Sequence, residues 1–223
     1  MQVAPDAAQA ARLAAELVVD AAESAIAERG TFSFAVSGGR GPWRMFELIG
    51  DHDLDWSRIE LFQVDERVAP NGNPDRNLTH LLASAPASAL ERIRPMAVTD
   101  ADLDAAAARY AQLLPERLDL VHLGLGPDGH TASLVPGDQV LEVDDRLVAI
   151  TGVYQGRERM TLTYPALAAA RRIFWLVTGA DKCDALAKLR AGDRSIPAGR
   201  VQACDASVVA DAEAAGEVPA EGQ

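Results

Sequence analysis

The stretch "TFSFAVSGGRGPWRMFELIG", residues 31–50, decides the fold. Phe32, Phe34 and Val36 alternate with smaller residues, the period-two pattern of a strand. The pattern breaks at Gly38 and Gly39 and restarts from Pro42, a good first-turn residue, as a helix running through "WRMFELI" to Gly50. Strand, glycine turn and helix form the opening of a βαβ unit.

The unit recurs along the chain. "IELFQV" (59–64) is a strand that runs into "DER", followed by a Pro/Asn/Gly loop and a short helix near "NLTHLLA". "RIRPMAV" is a weaker strand because of Pro95. "TDADLDAAAARYAQLL" is a helix with Thr99 as cap and Asp102 three residues on. "LDLVHLGLG", "RLVAITGV", "RMTLT" and "RIFWLVTG" read as strands, and "ADKCDALAKLRAG" as a helix ended by Gly192. Upstream, Pro5 and Asp6 start a helix that Gly30 stops, with Leu13, Leu17, Ala21 and Ala25 on one face. Alternating strands and helices predict an α/β, Rossmann-like, doubly wound fold: a mostly parallel sheet with helices on both faces. A single domain over 1–210 and a flexible tail over 211–223 complete the expectation.

Composition narrows the function. Of 223 residues, 48% are hydrophobic and 24% charged, enough for a sizeable core. No run approaches a membrane span, and the Ala-rich N-terminus lacks a signal peptide's basic flank. Cys183 and Cys204 form no CxxC pair, which suits a reduced cytoplasmic setting. A formal net charge of −12 disfavours nucleic acid and requires local cations for any anionic substrate. The four histidines, His52, His80, His122 and His130, show no zinc-ligand spacing. No GxSxG elbow is present, so a serine hydrolase is disfavoured.

In open parallel sheets, ligands bind at the carboxyl ends of the strands. Here those ends read "VSGGRGP", "VDER", "GLGPDGHTAS" and "VTGADK". Glycines in the first let backbone approach a ligand, free amides at a helix start attract an anion, and Lys182 adds a cation. "GLGPDG" (124–129) matches GxGxxG, but Pro127 and Asp128 stand where a dinucleotide's pyrophosphate would need a helix start. Asp128 and His130 are the better pair. A carboxylate two residues away can orient the ring, and an imidazole suits general-base work near neutrality. Asp65, Glu66 and Arg67 offer further carboxylates and a guanidinium fork, or only a surface ion pair. His122 reads as structural and Cys183 as an inert thiol.

The motifs "GLGPDGHTASLVPG", "VDERVAP" with "DRN", "SGGRGP", "RMTLTYPAL", "LVTGADK" and "IPAGRV" resemble, in order and spacing, the 6-phosphogluconolactonase family, which shares its fold with glucosamine-6-phosphate isomerases. The resemblance covers roughly residues 36 to 201. It implies hydrolysis of 6-phospho-D-glucono-1,5-lactone to 6-phosphogluconate in the oxidative pentose phosphate pathway, with no metal or organic cofactor. His130 would be the general base, with Asp128 and Asp65 shaping the site. Arg67 and Arg159 would hold the substrate and steady the oxyanion. Ser37, Gly38, Gly39 and Lys182 would bind phosphate. The family's usual SGGSTP turn has Arg40 and Gly41 in place of Ser and Thr here. Arg76 stands before Asn77 where the family has Ser. Arg40, Arg76 and Asn77 therefore join the expected binding residues. The expected partner is a sugar phosphate, with no nucleic acid or membrane, acting on a monomer or homodimer. Two rivals stand beside this reading. One is a non-catalytic sugar-phosphate sensor. The other is an isomerase or deaminase, disfavoured because Val135 replaces the Glu that those enzymes carry five residues after the histidine.

Overall fold

The computed structural model describes residues 1–217. A short strand, β1 (Gln2–Ala4), leads into α1 (Ala7–Arg29), whose start is fixed by Asp6 accepting a hydrogen bond from the Gln9 amide. Gly30 ends it in the left-handed conformation, as expected. Its buried stripe is Ala11, Ala14, Ala15, Val18, Val19 and Ala22, while Leu13 and Leu17 only flank the core. Small residues take the centre because α1 packs closely on the sheet and on α2.

The chain continues through β2 (Phe32–Val36), α2 (Arg40–Ile49), β3 (Ile59–Gln63), β4 (Asp65–Arg67), α3 (Asn77–Ser84), β5 (Ile93–Arg94) and α4 (Leu103–Leu113). Then follow β6 (Leu120–Leu123), β7 (Val148–Ile150), β8 (Arg159–Leu162), α5 (Tyr164–Ala169), β9 (Arg172–Val177), α6 (Cys183–Arg190), β10 (Ala206–Asp211) and α7 (Ala212–Ala215). The α4 cap is Asp102, whose carboxylate accepts from the Ala105 amide; Thr99 lies outside the helix.

Seven strands form one wholly parallel sheet in the order β1-β10-β9-β6-β2-β3-β5. Period-two side chains split the core between its faces. Phe32, Phe34, Leu120 and Phe174 pack under α1 and α2; Ala35, Val121, Leu123 and Ile173 pack on the other side with α4 and α6. The chain winds outward from β2 through β3 to β5, then from β6 through β9 to β10. The neighbours β2 and β6 therefore flank the switch point where such sheets open a crevice.

Two expectations change. The strands around 148–150 and 159–162 do not join the main sheet. The second of them pairs antiparallel with both the "DER" segment and the first, giving a separate three-stranded sheet, β4-β8-β7. The link between β7 and β8 is a hairpin, too short for the crossover a parallel pair needs. The expected tail also begins too early. Asp211 ends β10, is buried, and caps α7 by accepting from the Ala214 amide. Residues 218–223 of that tail lie outside the described residues. Among the described residues no helix is long and apolar enough to cross a membrane.

Candidate active site

The loops after β2, β3, β6 and β9 meet the second sheet around a cavity of about 160 Å³. Ser37 and Gly38 follow β2. Asp65 and Arg67 come from β4, Gly124 to His130 from the loop after β6, Arg159 from β8, and Lys182 from the turn after β9. Close approach explains two of the glycines. A Cβ on Gly38 would lie 2.0 Å from the Asn77 side-chain oxygen, and one on Gly126 would lie 2.0 Å from His130 Nδ1. Only glycine at 126 lets the imidazole fold back over its own loop. No helix follows "GLGPDG", in keeping with its rejection as a dinucleotide motif.

His130 Nδ1 stands 2.6 Å from Asp128 Oδ1, which also accepts from the His130 backbone amide. An ionised carboxylate can only accept, so Nδ1 carries the proton and Nε2 keeps the ring's basic lone pair. Partial burial works against the Asp128 charge. The His130 amide, the charge and hydrogen bond of the ring, and the Tyr154 hydroxyl outweigh it and hold the carboxyl below its ordinary value. That hydroxyl donates to Asp128 Oδ2 at 3.2 Å, and the Tyr154 ring meets the imidazole edge-on at 5.5 Å. The Arg159 guanidinium lies over the Tyr154 ring, 4.9 Å from its centre.

Asp65 and Arg159 are each 4% exposed. Asp65 accepts from the Ser133 hydroxyl at 2.7 Å and from the Asn77 amide nitrogen at 3.4 Å. Burial pulls the Arg159 guanidinium below its ordinary pKa, with the nearby Asp65 charge resisting. Arg159 Nη2 donates to Gln155, while its Nε finds no partner among the described residues; the buried Ser37 hydroxyl is likewise unpartnered. Arg159 and Ser37 both line the pocket, and unmet polar groups there are what a bound ligand's oxygens would satisfy. The α2 start at Gly39 has no side-chain cap, which leaves its first amides for the same use. Lys182 reaches the pocket from a turn clamped by Asp211, whose two carboxylate oxygens accept from the Gly179 amide at 3.1 Å.

The structure brings Ser37, Gly38, Asp65, Arg67, Asn77, His130, Arg159 and Lys182 to one cavity, with Asp128 directly behind His130. Gly39 contributes the backbone of the turn. Arg40 opens α2, and its side chain lies outside what is described. Arg76 is a correction: it does not line the cavity. It is buried against Glu66 at 3.0 Å and donates to the Ala69 carbonyl and Asn71. Glu66, itself buried, accepts from the amides of Asn77 and Leu78 and so anchors the α3 start. Asn77 lines the pocket, but its side chain serves Asp65 and Arg67. Sequence reasoning missed Tyr154, Ser133, Gln155 and Asp211. Tyr154, Gln155 and Asp211 sit in no glycine-rich strand end, and the partners are at least 26 residues away in three of the contacts concerned. The one available sign was the Ser133 in "GHTAS". Ala132 and Gln155, the non-glycine residues with positive φ among those described, both flank this site.

The family model described as glucosamine-6-phosphate isomerases/6-phosphogluconolactonase matches residues 5–210. The chain is 38% identical over 223 residues to a 6-phosphogluconolactonase of Streptomyces coelicolor, covering 88% of this chain and 80% of that one. It is 34% identical over 207 residues to a 6-phosphogluconolactonase of a Nostoc species, covering 85% and 84%. The crystal structure of 6-phosphogluconolactonase from Thermotoga maritima superposes with a TM-score of 0.82 at 24% identity, over 90% of this chain and 94% of that one, which is a likeness of fold.

Proposed function

The chain belongs to the glucosamine-6-phosphate isomerase and 6-phosphogluconolactonase family, and from that premise we propose that it hydrolyses 6-phospho-D-glucono-1,5-lactone to 6-phospho-D-gluconate, the hydrolytic step of the oxidative pentose phosphate pathway. The observation that carries the reading is the His130–Asp128 pair at 2.6 Å on the wall of a cation-lined pocket.

His130 Nε2 takes a proton from a water whose oxygen attacks the lactone carbonyl carbon. The carbonyl electrons move onto oxygen, and Arg159 and Arg67 stabilise that developing charge. Collapse of the tetrahedral intermediate breaks the bond to the ring oxygen, which receives the proton from the imidazolium. Asp128 keeps the ring in the reactive tautomer and favours its charged form. Asp65, fixed by Ser133 and Asn77, is suited to accept from a sugar hydroxyl. Lys182, the Ser37 hydroxyl and the Gly38–Gly39 amides hold the phosphate. No covalent nucleophile is needed for so reactive an ester. The isomerase alternative lacks support: Val135, where a carboxylate would relay protons, is a buried valine. A cytoplasmic setting belongs to the same proposal.

A coupled assay tests it. Glucose-6-phosphate dehydrogenase generates the lactone in situ, and 6-phosphogluconate dehydrogenase reports the hydrolysed product. Product formation faster than the spontaneous rate, lost in His130→Ala, is the expected result. Background rates for both proteins, or ammonia release from glucosamine 6-phosphate, would overturn the reading.

A further inference from the structure

The opposite end of the sheet carries a feature that lactone hydrolysis leaves unused. Five neighbouring strands are each entered through an arginine: Arg171 before β9, Arg117 before β6, Arg29 before β2, Arg58 before β3 and Arg92 before β5. The pattern stops at the next strand, because β10 follows Asp205. All five arginines line one cleft of about 400 Å³, against about 160 Å³ for the candidate active site. Adjacent strands lie about 4.8 Å apart, so the row extends for roughly 19 Å across the sheet.

Three carboxylates line the cleft with the five arginines, Glu60, Glu116 and Asp119, so the lining itself carries two more positive than negative charges in a chain of net charge −12. Asp119 is committed to Arg29, Arg171 and the Ser33 hydroxyl, Glu60 to Arg94, and the neighbouring Glu28 and Asp55 pair with Arg29 and Arg58. Helix C-termini account for some of the arginines: Arg117 Nε donates to the Ala169 carbonyl and Arg58 Nη1 to that of Gly30. They do not account for all. Among the described residues Arg92 makes no side-chain hydrogen bond or ion pair, and Arg117 meets no carboxylate.

We propose that this row is a binding site for a linear oligophosphate, either free or as the phosphate chain of a nucleoside triphosphate. A guanidinium presents a planar fork of donors that matches a phosphate's oxygens. A row of forks set by strand spacing suits several linked phosphates better than one, since a single phosphate reaches only one or two arginines of the row. The ligand is short because the chain's overall negative charge repels a long polyanion beyond the cleft.

Titration calorimetry of the full chain with tripolyphosphate at low salt tests the site. The variants are Arg92→Gln/Arg117→Gln, which is remote from the candidate active site, and Lys182→Ala, which removes the rival cation there. We expect affinity to fall about tenfold or more in the double variant, about 1.4 kcal/mol, and to be retained in Lys182→Ala. Inorganic phosphate should bind this site more weakly than tripolyphosphate. Tighter binding of ATP than of tripolyphosphate would identify a nucleotide as the ligand, and equal binding would identify the phosphate chain alone; either upholds the site. Unchanged affinity in the double variant, loss in Lys182→Ala, or no binding would overturn it. Thermal unfolding of the double variant should match wild type, and Arg92→Gln alone serves if it does not. The outcome is independent of lactonase activity, so failure here and failure of the assigned reaction are distinguishable.

Discussion

At the carboxyl ends of the strands, a cation is withdrawn from water into the pocket wall; at the amino ends, arginines pair in the open, about half in solvent. Arg159 is 4% exposed, whereas the side chains of Arg171 and Arg58 are 44% and 52% exposed. Strand direction is the reason. Strands in a parallel sheet all point one way and their crossover helices point back, so helix N-termini and glycine turns gather at one end and helix C-termini at the other. The first end offers free amides and can bind an anion with few charges. The second offers carbonyls, which attract arginines, and any anion there must rely on side chains alone. Stability and chemistry should therefore respond very differently to changes at the two ends.

The largest expected effect breaks the chemistry at one end only. His130→Ala should remove the roughly 10²- to 10⁴-fold that a general base supplies, read as turnover above the spontaneous rate. Arg92→Gln should leave that turnover unchanged. Retained activity in His130→Ala would mean that the base lies elsewhere.

Next comes stability. Arg76→Ala leaves Glu66 buried without its cation and should cost about 3–5 kcal/mol in urea unfolding. Arg92→Ala, on the solvent side of the comparison, should stay within about 0.5 kcal/mol. Equal costs would erase the contrast between the two ends.

Asp128→Asn should lower kcat by about 10²-fold with a smaller change in KM, because the ring loses its tautomer and its counter-charge. The folded carboxyl titrates below its ordinary value of 3.8, so its charge is present above that pH and is lost only as pH falls through the lowered value. A decline in wild-type activity that sets in well above pH 4 therefore belongs to another group.

His122 tests the end of the sheet beneath the pocket. It is fully buried beside Phe174, neither ring nitrogen has a partner among the described residues, and burial pushes its pKa from 6.5 down to about 3. Its neutral form is the folded one. The stability this provides is complete above pH 6.5 and is lost progressively as pH falls toward 3. Between pH 7 and pH 5, wild type should lose about 2 kcal/mol through this residue. His122→Leu should lack that part of the loss. The same pH slope in both proteins would show that the histidine has a partner.

The smallest effect is at Tyr154. Tyr154→Phe keeps the ring beneath Arg159 and removes the hydrogen bond to Asp128, worth about 1 kcal/mol, so turnover should fall by about fivefold. An acid limb shifted relative to wild type would separate an effect on the His130–Asp128 pair from simple loosening.

Local pattern was enough for the α/β class, for α1 with both its ends, for the strand-turn-helix units and for the four strand ends that build the pocket. These depend on period, caps and glycines within a few residues of one another. The same is true of the His130–Asp128 pair, whose members are two residues apart. Tertiary structure decided the rest. It placed the strands at 148–150 and 159–162 with the "DER" segment in a separate antiparallel sheet, because pairing partners are chosen across the fold by the length of the connection and the face to be buried. It also assigned the charges. Arg76, which read as a ligand contact, neutralises Glu66 in the core; Asp211, which read as tail, steadies the turn that presents Lys182. Whether a charged side chain meets a ligand, a buried counter-ion or water depends on what lies opposite it in space, and sequence neighbours do not specify that.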